Sequence, residues 1–360
     1  MFNCPVVAAV PVKNEEVQIG VCLQSLCDQT RKLDRLVLLL NNCTDTTADI
    51  CCQFQDRFHG IEIYEVTLRS PRASAGEARR RALELARSGA RETIILTTDA
   101  DAILPSTWVE QNMRDIAAGA DAVCGMAEIH ACDAAIIPHT LHEDDQRETF
   151  LLSILDEIVS LLAPDKFDPW PRHQQQSGAS IAVRSSVLAF AGGLPRVASG
   201  EDRALIDALR LIDARIRHAP DILVRVSGRL EGRAAGGMAE TIKRRLICQD
   251  DLTDAKLEPA IDAYRRAVVR ARSIAVWERK LDASGLAQDL LIDPEEMRMI
   301  LHAEFFGRVW NRLQTVSPVL QRRRVAFADL PREINIALEL RERLYLLHSS
   351  AKQRQMAADA

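Results

Sequence analysis

The feature that most constrains this chain is a regular alternation, from residue 5 to about 130, of short apolar runs with longer amphipathic stretches. The runs are Val6 to Val12, Leu36 to Leu40, Ile61 to Val66, Ile94 to Thr97 and Ala122 to Met126. Between them, apolar residues recur at three- and four-residue spacing over Val17 to Cys27, Thr46 to Arg57, Ala75 to Ser88 and Thr107 to Ala118. Strands that alternate with helices in this way predict an α/β fold on a mostly parallel sheet. In such sheets ligands bind beyond the carboxyl ends of the strands, so the residues that follow each run carry the functional signal.

The rest of the chain extends the pattern and then leaves it. Leu151 to Leu162 predicts an amphipathic helix, DPWPRHQQQSG a proline-broken polar loop, and residues 180–226 a further α/β portion. From about Met238 the strand signals fade, and Leu257, Ile261, Tyr264, Val268 and Ala271 fall at helical spacing. This predicts one domain over residues 1–235 and a helical C-terminal region over 236–360. The segment Glu333 to Leu347 is leucine-rich on more than one face. Both a core helix and a homodimer contact satisfy that pattern, the core helix more simply.

Composition narrows the function. The 360 residues suffice for a full core. The net charge of −5 is spread without a block of like charge, and aromatics are only 4%. Both facts argue against a nucleic-acid partner. Nine cysteines without a CxxC pair or zinc-type spacing suit a reducing compartment. The start MFNCPVVAAVPVKNEE has no basic leader, and no apolar run approaches the ~20 residues of a membrane span. The expectation is a cytoplasmic protein, with peripheral contact to a membrane-borne acceptor left open.

Four groups of residues could carry chemistry. The run Ile94 to Thr97 leads into Asp99 and Asp101, two carboxylates at i and i+2. Few hard oxygen ligands with open positions suit Mg²⁺ or Mn²⁺ bridging a diphosphate, although a solvated acidic turn has the same letters. Ser199-Gly200-Glu201-Asp202 enters a helix, where acids favour the dipole without any catalytic role. A carboxylate here could equally serve as the base that a hydroxyl acceptor needs. Lys13-Asn14-Glu15 and Asn41-Asn42, after the first two runs, could line a nucleotide pocket. Helix capping by Asn14, Thr44 or Asp45 competes with that reading. Arg229 and Arg233 alternate with glycines and suit phosphate contact, or else lie in a linker.

In order and type, VPVKNEE, NNCTDTTA, SAGEARRRAL, TTDADA, QSGASIAVR with GGLP, and GEDRAL resemble the family 2 glycosyltransferases over roughly residues 5–235. The resemblance implies the GT-A fold, a Rossmann-like sheet with flanking helices. It further implies a nucleoside-diphosphate sugar as donor, a hydroxyl acceptor of unspecified identity and a divalent metal, Mn²⁺ or Mg²⁺. Residue by residue, it places Pro11, Glu15, Asn42, Arg79 and Asp99 at the nucleotide and Asp101 on the metal. Asp202 becomes the base of an inverting transfer, with Ser177, Gly178, Ala179 and Glu201 along the donor-sugar and acceptor cleft. Two asparagines stand where many relatives carry an aspartate after the second strand.

Competing classes fare less well. A sugar nucleotidyltransferase would open with a glycine-rich loop after the first strand, and a dehydrogenase with GxGxxG; VPVKNEE contains no glycine. A nucleotide-sugar-binding protein without turnover remains the alternative that only activity separates.

Overall fold

The structure is a computed structural model and describes residues 4–58, 60–69, 74–87, 89, 91–229, 243 and 253–358. Its centre is a seven-stranded sheet in the order β3-β2-β1-β4-β6-β5-β7. The strands are β1 (Val6–Val12), β2 (Arg35–Asn41), β3 (Ile61–Val66), β4 (Ile94–Thr97), β5 (Ala122–Ile129), β6 (Ile181–Arg184) and β7 (Ile216–Val226). All pairings are parallel except those of β6, which runs against both β4 and β5. The predicted mostly parallel α/β sheet with flanking helices, followed by a helical C-terminal region, is the fold observed.

The five predicted runs are the first five strands, three of them with the same bounds. They are legible because β1, β2 and β4 are buried on both faces, so apolar side chains continue through each strand instead of alternating. Two clusters result. Val6, Ala8, Val10, Leu36, Leu38 and Trp108 pack on one face, and Val7, Ala9, Val37, Leu39, Leu83 and Leu205 on the other.

Proline in a central strand needs an explanation. Pro11 stands in β1 opposite Leu39 of β2, but β4 pairs β1 only from Val6 to Ala9. On the β4 side, Pro11 lies past the end of the ladder, where no hydrogen bond from its nitrogen is required.

The chain divides into two compact units: residues 1–137 with 175–247, and residues 138–174 with 248–360. This differs from a single cut near 235. Helix α6 (His139–Leu162) is longer than the predicted Leu151 to Leu162 and groups with the C-terminal helices. Its Leu151, Ile154, Leu155 and Ile158 are buried against Leu257, Ala260 and Ala263 and against Leu330, Ala337 and Leu344. The last three lie on the terminal helix Leu330–Ala358, whose inner face is thus core, while Tyr345, Leu346 and Leu347 are exposed. In the same unit, Leu286, Leu290, Met297, Ile300, Val309 and Leu313 form a separate cluster. No described helix is long and apolar enough to cross a membrane.

Candidate functional site

Sheet topology dictates where a ligand fits. From β1 the chain winds outward through β2 and β3, then returns to lay β4 on the other side of β1. The carboxyl ends of β1 and β4 therefore flank the switch point, the crevice where open α/β sheets bind ligands. Glu15 follows β1, and Asp99 and Asp101 follow β4.

The loops after β1 and β2 brace one another. Asn14 adopts a left-handed conformation (φ 49°) and accepts the Thr44 amide at 2.8 Å. The Glu16 carboxylate accepts from the Thr46 amide (3.1 Å) and hydroxyl (2.8 Å), and Asp45 accepts the Glu16 amide at 3.3 Å. For Asn14 the contact with Thr44 replaces the predicted helix cap, whereas Asp45 does accept the amide of Thr47, the first residue of its helix, at 3.1 Å. The helices Ile19–Cys27 and Thr47–Gln53 are preceded by Gln18 and Thr46, and neither side chain caps its helix. Thr47 was not anticipated from sequence; its hydroxyl accepts the Glu15 amide at 2.7 Å and fixes that residue. Asn42, also left-handed (φ 54°), exchanges both ends of its side-chain amide with the Leu68 backbone at 3.0 and 3.2 Å. That amide is engaged within the protein and extends the β2–β3 pairing by one step.

Arg79 is the hub of the site. It projects from α3 (Ala75–Ala86) and is 5% exposed. Its guanidinium donates to the Thr97 hydroxyl at 2.7 Å, the Gly178 carbonyl at 3.0 Å, Glu201 at 3.2 Å and Asp99. Burial opposes the charge, yet the facing carboxylates of Asp99 and Glu201 raise the pKa of the guanidinium above its ordinary value. A Cβ at position 178 would lie 2.6 Å from the Arg79 guanidinium, so any side chain there would have to displace it.

Through this hub β4 is tied to α8 (Glu201–Arg210). Gly200, left-handed at φ 70°, turns the chain into α8, and Glu201 and Asp202 fall in its first turn. Asp202 accepts the Gly178 amide at 3.0 Å and the Arg203 amide at 2.7 Å. The Gly178 residue thus holds Asp202 by its N–H while Arg79 holds its carbonyl. Ser177 accepts the Ala179 amide at 3.3 Å, whereas the Ala179 methyl is fully buried and faces the core.

Asp101 lies on the other side. An antiparallel bridge between Ile103 and Arg225 draws the end of β7 to the loop after β4 and brings Arg229 beside Asp101. Arg229 donates to both oxygens of Glu15, at 2.8 and 2.6 Å, and lies 3.2 Å from Asp101. Burial, and after it the charge of Asp99, pushes the Asp101 carboxyl up to about 7 against the pull of Arg229. Arg233 lies outside the described residues. Among those described, no three His, Cys, Asp or Glu side chains gather as a preformed metal cage.

Of the residues expected from sequence, Arg79, Asp99, Gly178, Glu201 and Asp202 are linked in one network, and Glu15, Asp101 and Arg229 in a second. Pro11 and Asn42 stand at the ends of β1 and β2 as expected, and Asn42 turns its side chain to Leu68.

Residues 8–167 match the model for Glycosyl transferase family 2. The resemblance read from the motifs is borne out over that segment. No curated protein matches the chain. Among solved structures, S. aureus TarS 1–349 in complex with UDP-GlcNAc is similar at 16% identity, with a TM-score of 0.48, over 94% of this chain and 90% of that one. The glucosyl-3-phosphoglycerate synthase from Mycobacterium tuberculosis, in complex with Mn²⁺, UDP and phosphoglyceric acid, is similar at 16% identity. Its TM-score is 0.41, over 69% of this chain and 81% of that one. At these scores the two likenesses carry no weight for donor, metal or acceptor.

Proposed function

Because residues 8–167 carry a family 2 glycosyltransferase match, we propose that this enzyme performs a metal-dependent, inverting transfer of a sugar from a nucleoside diphosphate to an acceptor hydroxyl. The observation that supports the reading is that Arg79 bonds both Asp99, after β4, and Glu201, beside Asp202 at the start of α8, while Asp101 pairs with Arg229.

The residues divide the work. Glu15, Asp99 and the braced loops after β1 and β2 offer the nucleoside a rigid, polar lining, and Pro11 borders it. Asp202 is oriented by the Gly178 amide so that a carboxylate oxygen takes the proton of the acceptor hydroxyl as that oxygen attacks the anomeric carbon. The glycosidic bond forms as the bond to the diphosphate breaks, and direct attack inverts the anomeric centre. Ser177 and Gly178 edge the cleft for sugar and acceptor. Glu201 acts at one remove, by holding Arg79.

Asp101 fits a cation carried in on the donor: it offers a half-buried hard oxygen, and the diphosphate would fill the remaining coordination positions. When bound, a divalent metal neutralises charge on the departing nucleoside diphosphate.

The test is turnover of a panel of nucleoside-diphosphate sugars with and without Mn²⁺, with the anomer of the product read by NMR. An inverted product formed only with metal is expected. A retained configuration, or full turnover in chelator, would overturn the corresponding part of the proposal.

A further inference from the structure

Arg229 has a place in the site that the transfer mechanism does not use. One of its terminal nitrogens is shared between Glu15, at 2.6 Å, and Asp101, at 3.2 Å, while the other reaches the second Glu15 oxygen at 2.8 Å. Both carboxylates have little exposure, at 6% and 16% of their side chains, and the guanidinium keeps 28%. Two carboxylates this shielded need a counter-charge close by, because neither water nor salt can screen them well. The fork of an arginine satisfies Glu15 with two bonds and leaves one N–H side for Asp101. The bridge from Ile103 to Arg225, four residues earlier, keeps it there.

We infer that Arg229 is the built-in counter-cation of the donor site, occupying Asp101 in the ligand-free protein, so that a divalent cation binds only by displacing it. The inference rests on the reading of Asp101 as the residue that takes the metal. A divalent ion on the Asp101 oxygen that Arg229 faces would meet the like charge of the guanidinium at close range, so each opposes the binding of the other there. Arg229 keeps its two-bond hold on Glu15 when it gives up Asp101, because its contact with Asp101 is an ion pair at 3.2 Å without a hydrogen bond. The metal alone then binds weakly, its affinity reduced by the fraction of molecules in which Arg229 has left Asp101. The donor, whose diphosphate offers the displaced guanidinium a new anionic partner, relieves that penalty. The site would therefore load metal and donor together instead of holding metal in advance.

The experiment is a Mn²⁺ titration of the full chain, with free Mn²⁺ read by electron paramagnetic resonance, in the absence and presence of a nucleoside diphosphate. Arg229→Gln is expected to bind Mn²⁺ without nucleotide about ten-fold more tightly than the unsubstituted protein, as follows if Arg229 covers Asp101 in about nine molecules of ten. Arg229→Lys, which keeps the charge but not the fork, is expected to fall between them. Thermal unfolding of both variants shows whether each is folded, and either one alone suffices for the comparison. Unchanged or weaker Mn²⁺ binding by the folded variants would overturn the inference. So would a gain that survives in the Asp101→Asn, Arg229→Gln double variant. Mn²⁺ binding with nucleotide that is indifferent to Asp101→Asn alone would instead remove the metal reading on which the inference stands.

Discussion

At the scale of single residues, Arg79 sets the precision of the site. Its four partners lie 18 to 122 positions away in sequence. The acids were legible because carboxylates directly after buried strands are conspicuous. The arginine that ties Asp99 to Glu201 was legible only as a member of a motif, since nothing local to α3 announces its partners. Gly178→Ala is expected to force a methyl into the guanidinium and to destabilise the protein by about 1–3 kcal/mol in urea unfolding. An unchanged midpoint would mean that the Gly178 contact yields easily. Asp202→Asn is expected to leave donor affinity intact and to lower transfer by about 10²- to 10⁴-fold. Turnover near the starting level would move the base to another residue.

At the scale of elements, strands were read more faithfully than helices. Continuous apolar runs mark strands covered on both faces, as β1, β2 and β4 are. The sequence marks only the second half of helix α6, because its first part, HTLHEDDQRE, is polar and shows no apolar period. Helix α3 begins with an arrangement that sequence does reveal. Ser74 accepts the Glu77 amide at 3.1 Å, a serine and a glutamate at capping-box spacing. Glu77 also accepts from Arg80 at 2.6 and 2.8 Å and from Arg81 at 3.0 Å. The hydrogen bonds from Arg80, opposed by burial and reinforced by those from Arg81, bring its carboxyl down from 4.5 to about 2. A depressed folded-state pKa contributes stability that is complete above the unfolded value and lost as pH falls through the folded one. Glu77→Gln should therefore cost roughly 1.5–3 kcal/mol near neutral pH. The deficit should shrink between pH 4.5 and about 2. Denaturant unfolding at several pH values checks this, and a deficit constant with pH would assign the loss to packing.

At the scale of the whole molecule, the sheet order makes the catalytic reading coherent. A sheet that reverses its winding between β1 and β4 creates one crevice, and Glu15, Asp99 and Asp101 follow the two strands that flank it. The grouping of residues 138–174 with the C-terminal helices was not legible, because the apolar face of α6 does not name its partners along the chain. The central claim is that this crevice takes a nucleoside diphosphate together with a metal at Asp101. The most direct test is calorimetric unfolding of the full chain against a panel of nucleoside diphosphates, with Mn²⁺ and with chelator, alongside Asp101→Ala. A ligand at 100 times its dissociation constant raises apparent stability by about 2.7 kcal/mol. The account predicts such a rise for at least one nucleotide, dependent on Mn²⁺ and absent in Asp101→Ala. No rise with any nucleotide in a folded sample, or a rise indifferent to Mn²⁺ and to Asp101, would contradict it.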